Sequence, residues 1–129
     1  MTLYIRRVPS THHVCQFSPS DRLCESARDF WLEHLANTCD EAMVATSGGE
    51  VVGFVRYDVV PPKGPFGVQV YAVGTWVHPD FQRNGIGLKM WERLLHHHKP
   101  EIVQVEAVTL AGEGFIHSMW DKWPDIIWR

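Results

Sequence analysis

Short runs of alternating apolar and polar residues fill most of this chain, and three times the period lengthens to that of a helix. Leu3-Tyr4-Ile5-Arg6-Arg7-Val8 predicts a first strand, closed by Pro9. Ser18 or Ser20 can then cap a helix in which Leu23, Ala27, Phe30, Trp31 and Leu35 share one face. Glu41 to Thr46 and Val51 to Tyr57 flank Ser47-Gly48-Gly49-Glu50, the pattern of a hairpin. Pro61-Pro62-Lys63-Gly64-Pro65 breaks the ladder, because proline has no backbone donor and a fixed φ. Val68 to Val77 reads as the next strand, Leu88 to Leu95 as an amphipathic helix ending by Pro100, and Ile102 to Val108 as another strand. Phe115, Ile116, Met119, Trp120 and Trp123 predict a last short helix before strand-like Ile126-Ile127-Trp128. Strands and helices interleaved in this order predict an α/β fold.

Length and composition narrow the class. A chain of 129 residues without a linker or internal repeat suits one domain, spanning 1–129. No apolar run approaches the ~18 residues of a membrane span, and the N-terminus lacks the order of a secretion signal. A net charge of −3 gives no basic footprint for nucleic acid. Cys15, Cys24 and Cys39 have neither redox nor zinc spacing, so they read as reduced thiols of a cytoplasmic protein. His96-His97-His98 implies no metal site, since adjacent helical residues point apart.

The candidate chemistry lies in Gln82-Arg83-Asn84-Gly85-Ile86-Gly87, between the Val68–Val77 run and the helix after it. A glycine-containing loop that opens a helix leaves backbone N–H groups for an anion such as a pyrophosphate. It is not a Walker loop, because Lys89 follows Leu88 and precedes Met90 rather than Ser or Thr. Nor is it a dinucleotide fingerprint, because the third glycine is missing.

In order and spacing this segment resembles the acetyl-CoA-binding motif of the Gcn5-related N-acetyltransferase (GNAT) family, with Gln82, Gly85 and Gly87 in the signature positions and Val77-His78-Pro79 resembling its strand end. The resemblance implies a compact single-domain fold with a mixed, mostly antiparallel sheet, splayed central strands and flanking helices. It implies acetyl-CoA as acyl donor, held by backbone groups of Trp76 and Val77 on the strand and of Arg83, Asn84, Gly85, Ile86, Gly87 and Leu88 around the pyrophosphate. Gly85 and Gly87 would permit the close approach. Thr75 matches the position that offers a backbone N–H to the thioester oxygen, a donor of the oxyanion-stabilising kind. The implied reaction is direct attack by a primary amine of a protein, peptide or small molecule within a ternary complex. Homodimerisation is left open.

The proton carriers depart from the family pattern. Many members place a glutamate eleven positions before the signature Gln, where this chain has Tyr71. Many place a tyrosine on the last helix, where Trp120 stands in Trp120-Asp121-Lys122. Indole has no proton to shuttle at neutral pH. Tyr71, His117 and Ser118 are the replacements by position, with Glu106 a more distant base through water. The alternative is a non-catalytic acyl-CoA-binding or interaction module that kept the cleft. Trp31, Trp76 and Trp120 are candidates to line an acceptor pocket.

Overall fold

The computed structural model describes residues 3–9, 41–82, 85–105 and 110–129. Within them six strands form one sheet in chain order: β1 (Leu3–Pro9), β2 (Glu41–Ser47), β3 (Glu50–Val60), β4 (Gln69–Val77), β5 (Ile102–Val105) and β6 (Ile127–Trp128). β1 to β4 are antiparallel neighbours, while β4–β5 and β5–β6 are parallel. Parallel neighbours need a crossover, and helices α1 (Ile86–His98) and α2 (Leu110–Lys122) supply the two. This is the mixed, mostly antiparallel α/β sheet that the sequence implies. The expected helix around residues 20–35, the three cysteines and Trp31 lie outside the described residues.

Element ends depart from the sequence pattern for local reasons. β3 runs on to Val60 rather than stopping at Tyr57, because Asp58 occupies an outward position where pairing with β4 continues from Tyr57 through Val60. α2 begins at Leu110, well before Phe115. Gly112 and Gly114, poor helix formers, hide that first turn from a propensity reading.

The core forms where α1 lies on the sheet. Ile86, Met90, Trp91, Leu94 and Leu95 fall on one helical face and are buried with Met43, Val55, Tyr57, Val70 and Val103. Phe115 and Met119 of α2 join the same cluster, so both helices cover one face. Gly53 makes the close approach feasible: a Cβ there would stand 3.0 Å from Met90 Cε and 3.2 Å from both Ile86 Cγ2 and the Trp76 carbonyl.

β4 contains a bulge that decides which side chains meet the site. Arg56 pairs with Gly74 and Tyr57 with Ala72, so Val73 is the extra residue. Before it, Val70 and Ala72 face the helices. After it, the parity is shifted and Thr75 and Val77 do so. Tyr71, Gly74 and Trp76 therefore share the opposite face with their ladder partners Asp58, Arg56 and Phe54. The Phe54 and Trp76 rings stack there at 5.5 Å.

At the far end of α1, Glu41 ties three elements together. It accepts from Tyr57 Oη (2.8 Å) and Arg7 Nη1 (2.6 Å), and its Oε2 lies 2.8 Å from His98 Nε2. Partial burial pushes the Glu41 pKa up, but the hydrogen bonds from Tyr57 and His98 and the charges of His98 and Arg7 outweigh it. The net direction is below the ordinary 4.5.

Two outcomes follow from this packing. Gly53→Val is expected to lower stability by about 1–3 kcal/mol in denaturant titration, since Met90 and Ile86 must be displaced. Because the folded pKa of Glu41 is depressed, its stabilisation is complete above 4.5 and is lost as pH falls through the lower folded value. Glu41→Gln should flatten the loss of stability with acidification in that window; an unchanged slope would show that the carboxylate is not the linked group.

Candidate functional site

The site begins where, among the described residues, β4 extends past its pairing with β5. The two pair from Gln69 with Ile102 to Ala72 with Val105, and β4 then continues to Val77. Along that free length, backbone groups alternate between β3 and the gap. The Trp76 carbonyl lies against Gly53 and the His78 N–H donates to Val52 O at 2.8 Å, so both are turned to β3. Thr75 and Val77 consequently direct their N–H and C=O groups to the other side, into the gap. In this arrangement the Trp76 polar groups belong to the β3 ladder, and Thr75 with Val77 lines the side toward the gap.

The connection to α1 is held by named contacts. His78 Nδ1 accepts from Asp80 N at 3.1 Å and so starts the 3-10 turn Pro79–Phe81. That bond fixes the His78 tautomer, leaving Nε2 to carry the proton, 4.0 Å from Glu50 Oε1. The His78 ring meets Trp76 and Phe81 edge-on, at 5.9 and 5.6 Å between centroids. Gln82 Nε2 donates to Val77 O at 3.2 Å, clamping the loop to the end of β4. Arg83 and Asn84 lie outside the described residues.

Gly85 is the N-cap of α1, with φ 72° and ψ 16°, and a Cβ there would meet nothing within 4 Å. Left-handed backbone of this kind favours glycine. The first helical bond runs from Lys89 N to Gly85 O at 3.0 Å, so the N–H groups of Ile86, Gly87 and Leu88 precede the ladder. Among the described residues no side chain caps them, and the first turn carries no acid. A helix terminus with open donors and no competing carboxylate is suited to an anion.

Gly87 turns the side that a Cβ would occupy toward α2 and β4. Its missing Cβ faces Phe115 Cε2 (3.5 Å), Phe115 Cζ (3.6 Å) and Val77 Cγ2 (3.8 Å). Those are ordinary contact distances, so this face of Gly87 seats α2 and β4, while its N–H remains with the other open donors. The side chains of Ile86 and Leu88 likewise pack into the core and leave only their backbone to the site.

The candidate proton carriers are divided between the two faces. Tyr71 is half-buried on the face away from the helices, level with Asp58 on β3 and Gln104 on β5. His117 and Ser118 are exposed on α2, on the helix side. Ser118 Oγ donates to Phe115 O at 2.7 Å, an intrahelical bond, and His117 packs edge-on against Trp120 at 4.4 Å. Trp120 is itself 39% exposed. The structure thus does not bring Tyr71 together with His117 and Ser118. The Thr75 hydroxyl is oriented by Trp91 Nε1 at 3.3 Å, from the helix side. Glu106 lies outside the described residues, and among those described no three His, Cys, Asp or Glu side chains group as for a metal.

Sequence reasoning missed Asp58, His78 and Trp91. Asp58 carried a signal, a charge in an apolar strand run, but only the register sets it beside Tyr71. Trp91 reads as core from its spacing, and its indole N–H toward Thr75 is visible only in three dimensions.

Comparison with known proteins agrees with this geometry. The Acetyltransferase (GNAT) family model matches residues 8–115. No curated protein matches the sequence. Among solved structures, a GNAT family acetyltransferase of Streptococcus pneumoniae is 22% identical, with a TM-score of 0.57 over 95% of this chain and 92% of that one. An aminoglycoside acetyltransferase from an uncultured soil metagenomic sample, in complex with sisomicin, is 17% identical with a TM-score of 0.59, covering 93% and 87%. A ribosomal-protein-alanine N-acetyltransferase of Brucella melitensis is 22% identical with a TM-score of 0.53, covering 73% and 70%. At these identities the likenesses establish the fold alone, and the family rests on the match across most of the sequence. With its β4 edge, Gln82 clamp and open helix terminus in place, the chain belongs to the GNAT acetyltransferase family.

Proposed function

We propose that this protein is an acetyl-CoA-dependent N-acetyltransferase that acetylates a primary amine by direct attack in a ternary complex. The observation that carries this reading is the pairing of an uncapped α1 N-terminus with the free edge of β4. The N–H groups of Gly85, Ile86, Gly87 and Leu88 would hold the pyrophosphate. Val77 would bind the pantetheine arm as a strand neighbour does, and the Thr75 N–H would face the acyl oxygen. Acetyl-CoA supplies an acetyl thioester at that edge. This chain's residues orient it, exclude a competing strand and place a donor where negative charge develops. The relatives act on acceptors as different as an aminoglycoside and a ribosomal protein, which leaves a primary amine as the shared feature.

The amine must reach the gap as a neutral nucleophile. Tyr71, half-buried on the face away from α1 and α2, receives the proton through water in this reading. Ser118 is less suited because its hydroxyl is committed to Phe115 O. His117 is the remaining acid on α2. A non-catalytic acyl-CoA-binding module is favoured by one observation: Trp120, exposed on α2, offers no ionisable group. Acceptor-dependent release of free CoA thiol separates the two readings.

Calorimetric titration of acetyl-CoA, with ATP and NAD as controls, tests the cleft directly. Gly85→Asp should weaken acetyl-CoA binding about tenfold or more, since its carboxylate opposes the pyrophosphate at a position with steric room. Gly85→Asn, which tolerates the same backbone angles, serves as the neutral control. Equal affinity in the Asp variant would move the anion site elsewhere. Tyr71→Phe should reduce turnover while leaving acetyl-CoA affinity nearly unchanged; unaltered turnover would remove Tyr71 from the proton path.

A further inference from the structure

One imidazole holds the turn that carries the chain from β4 toward the α1 N-terminus. The His78 N–H donates to Val52 O at 2.8 Å, and its carbonyl accepts from Phe81 N at 2.8 Å. Its Nδ1 accepts from Asp80 N at 3.1 Å, and its ring meets Trp76 and Phe81 edge-on. Gln82 then bonds Val77 O, and Gly85, the N-cap of α1, follows. The side chain that starts this turn therefore lies on the path that positions the open N–H groups of the helix.

Only the Nδ1 bond among these contacts depends on protonation. Neutral imidazole accepts at one nitrogen and donates at the other, whereas imidazolium donates at both. A proton on Nδ1 expels the Asp80 N–H from its acceptor. Each ring nitrogen then has a carboxylate to turn to. Glu50 Oε1 stands 4.0 Å from Nε2, and Asp80 Oδ2 stands 3.9 Å from Nδ1. Both separations exceed a hydrogen bond, so these contacts tighten only when the ring or the turn moves. Among the described residues, the charged groups that face the ring are Glu50, at the start of β3, and Asp80, in the 3-10 turn, while β4 brings the uncharged Trp76. The His78 side chain is 17% exposed and both carboxylates are more exposed still, so protons reach the ring from solvent.

We propose that His78 is a positioning residue whose neutral form holds the loop against the end of β4, and that its protonation loosens the loop and weakens acetyl-CoA binding. This rests on the acetyltransferase reading above and adds a regulation of the same site by pH. The neutral ring makes the bond, so affinity is complete at higher pH and is lost as pH falls through about 8 to 5, the range in which histidine changes charge. Glu41, at the other end of α1, has its pKa held below 4.5 and stays ionised across that range.

Two substitutions separate the acceptor from the ring. Asn at this position keeps an acceptor for the N–H two residues on and does not titrate. Phe keeps a ring for Trp76 and Phe81 and offers no acceptor. Acetyl-CoA is titrated calorimetrically into wild type, His78→Asn and His78→Phe from about pH 8 to about 5.5, with circular dichroism following the fold at each step. The ligand's own phosphate monoester titrates at about 6, equally for all three proteins, so the ratio of wild type to His78→Asn isolates the imidazole. Relative to His78→Asn, wild type should lose affinity about 3- to 10-fold over that range, the worth of one hydrogen bond. His78→Phe should already be weaker than wild type at the upper pH by a similar factor, and its ratio to His78→Asn should stay constant. In long-range 15N spectra of unliganded wild type, Nδ1 should gain its proton over the same range, and the Asp80 amide resonance should shift with it.

A constant ratio of wild type to His78→Asn, or an Asp80 amide indifferent to the ring's titration, overturns the proposal. Should His78→Phe fail to fold, the Asn ratio and the spectra decide the question without it. Absence of acetyl-CoA binding by folded wild type at the upper pH is a separate readout, and it overturns the parent reading together with this one.

Discussion

Everything at this site depends on β4 having two unequal neighbours. β3 pairs with it along nearly its whole length, so β4 is rigid. Among the described residues β5 pairs with it over four residues only, which leaves Thr75 and Val77 without a described strand partner on that side. Exposed strand edges are ordinarily a hazard, because they recruit other strands. Here the edge is flanked by α1, whose open N–H groups lie just beyond its end. A ligand with an amide-bearing arm and an anionic head satisfies both sets of groups at once.

The Val73 bulge makes that edge selective between faces. One inserted residue returns Thr75 and Val77 to the helix side, where Trp91 and the core fix them, and turns Gly74 and Trp76 outward. The two faces of β4 thereby have different neighbours, Val70 and Ala72 against the helices and Trp76 against Phe54. The helix face is held by large apolar burial and by the Glu41 cluster. The other face carries the half-exposed Tyr71 and Asp58 and the glycine between them and the edge.

The two glycines of the loop separate along the same lines. Gly85 is needed for a backbone angle and stands in open space, whereas Gly87 seats Phe115 of α2 and Val77 of β4. A motif treats them as a pair, but one stands in open space and the other against packed side chains. Gln82 belongs with neither: its amide holds the Val77 carbonyl and so fixes the loop that presents both.

Alternation and helical spacing along the chain determined the elements, the hairpin, the glycine loop and its place between a strand and a helix, because these depend on neighbours a few residues apart. The helix terminus that opens after the glycine loop was legible for the same reason, since it is local. Only the tertiary structure decided what depends on register. A bulge shifts parity without leaving a mark on composition, so the turn of the Trp76 backbone toward β3 is visible only in the ladder. Asp58 and Tyr71 are far apart in sequence, and Phe115 is farther still from Gly87. Their adjacency is created by strand pairing and helix docking, which no local pattern encodes.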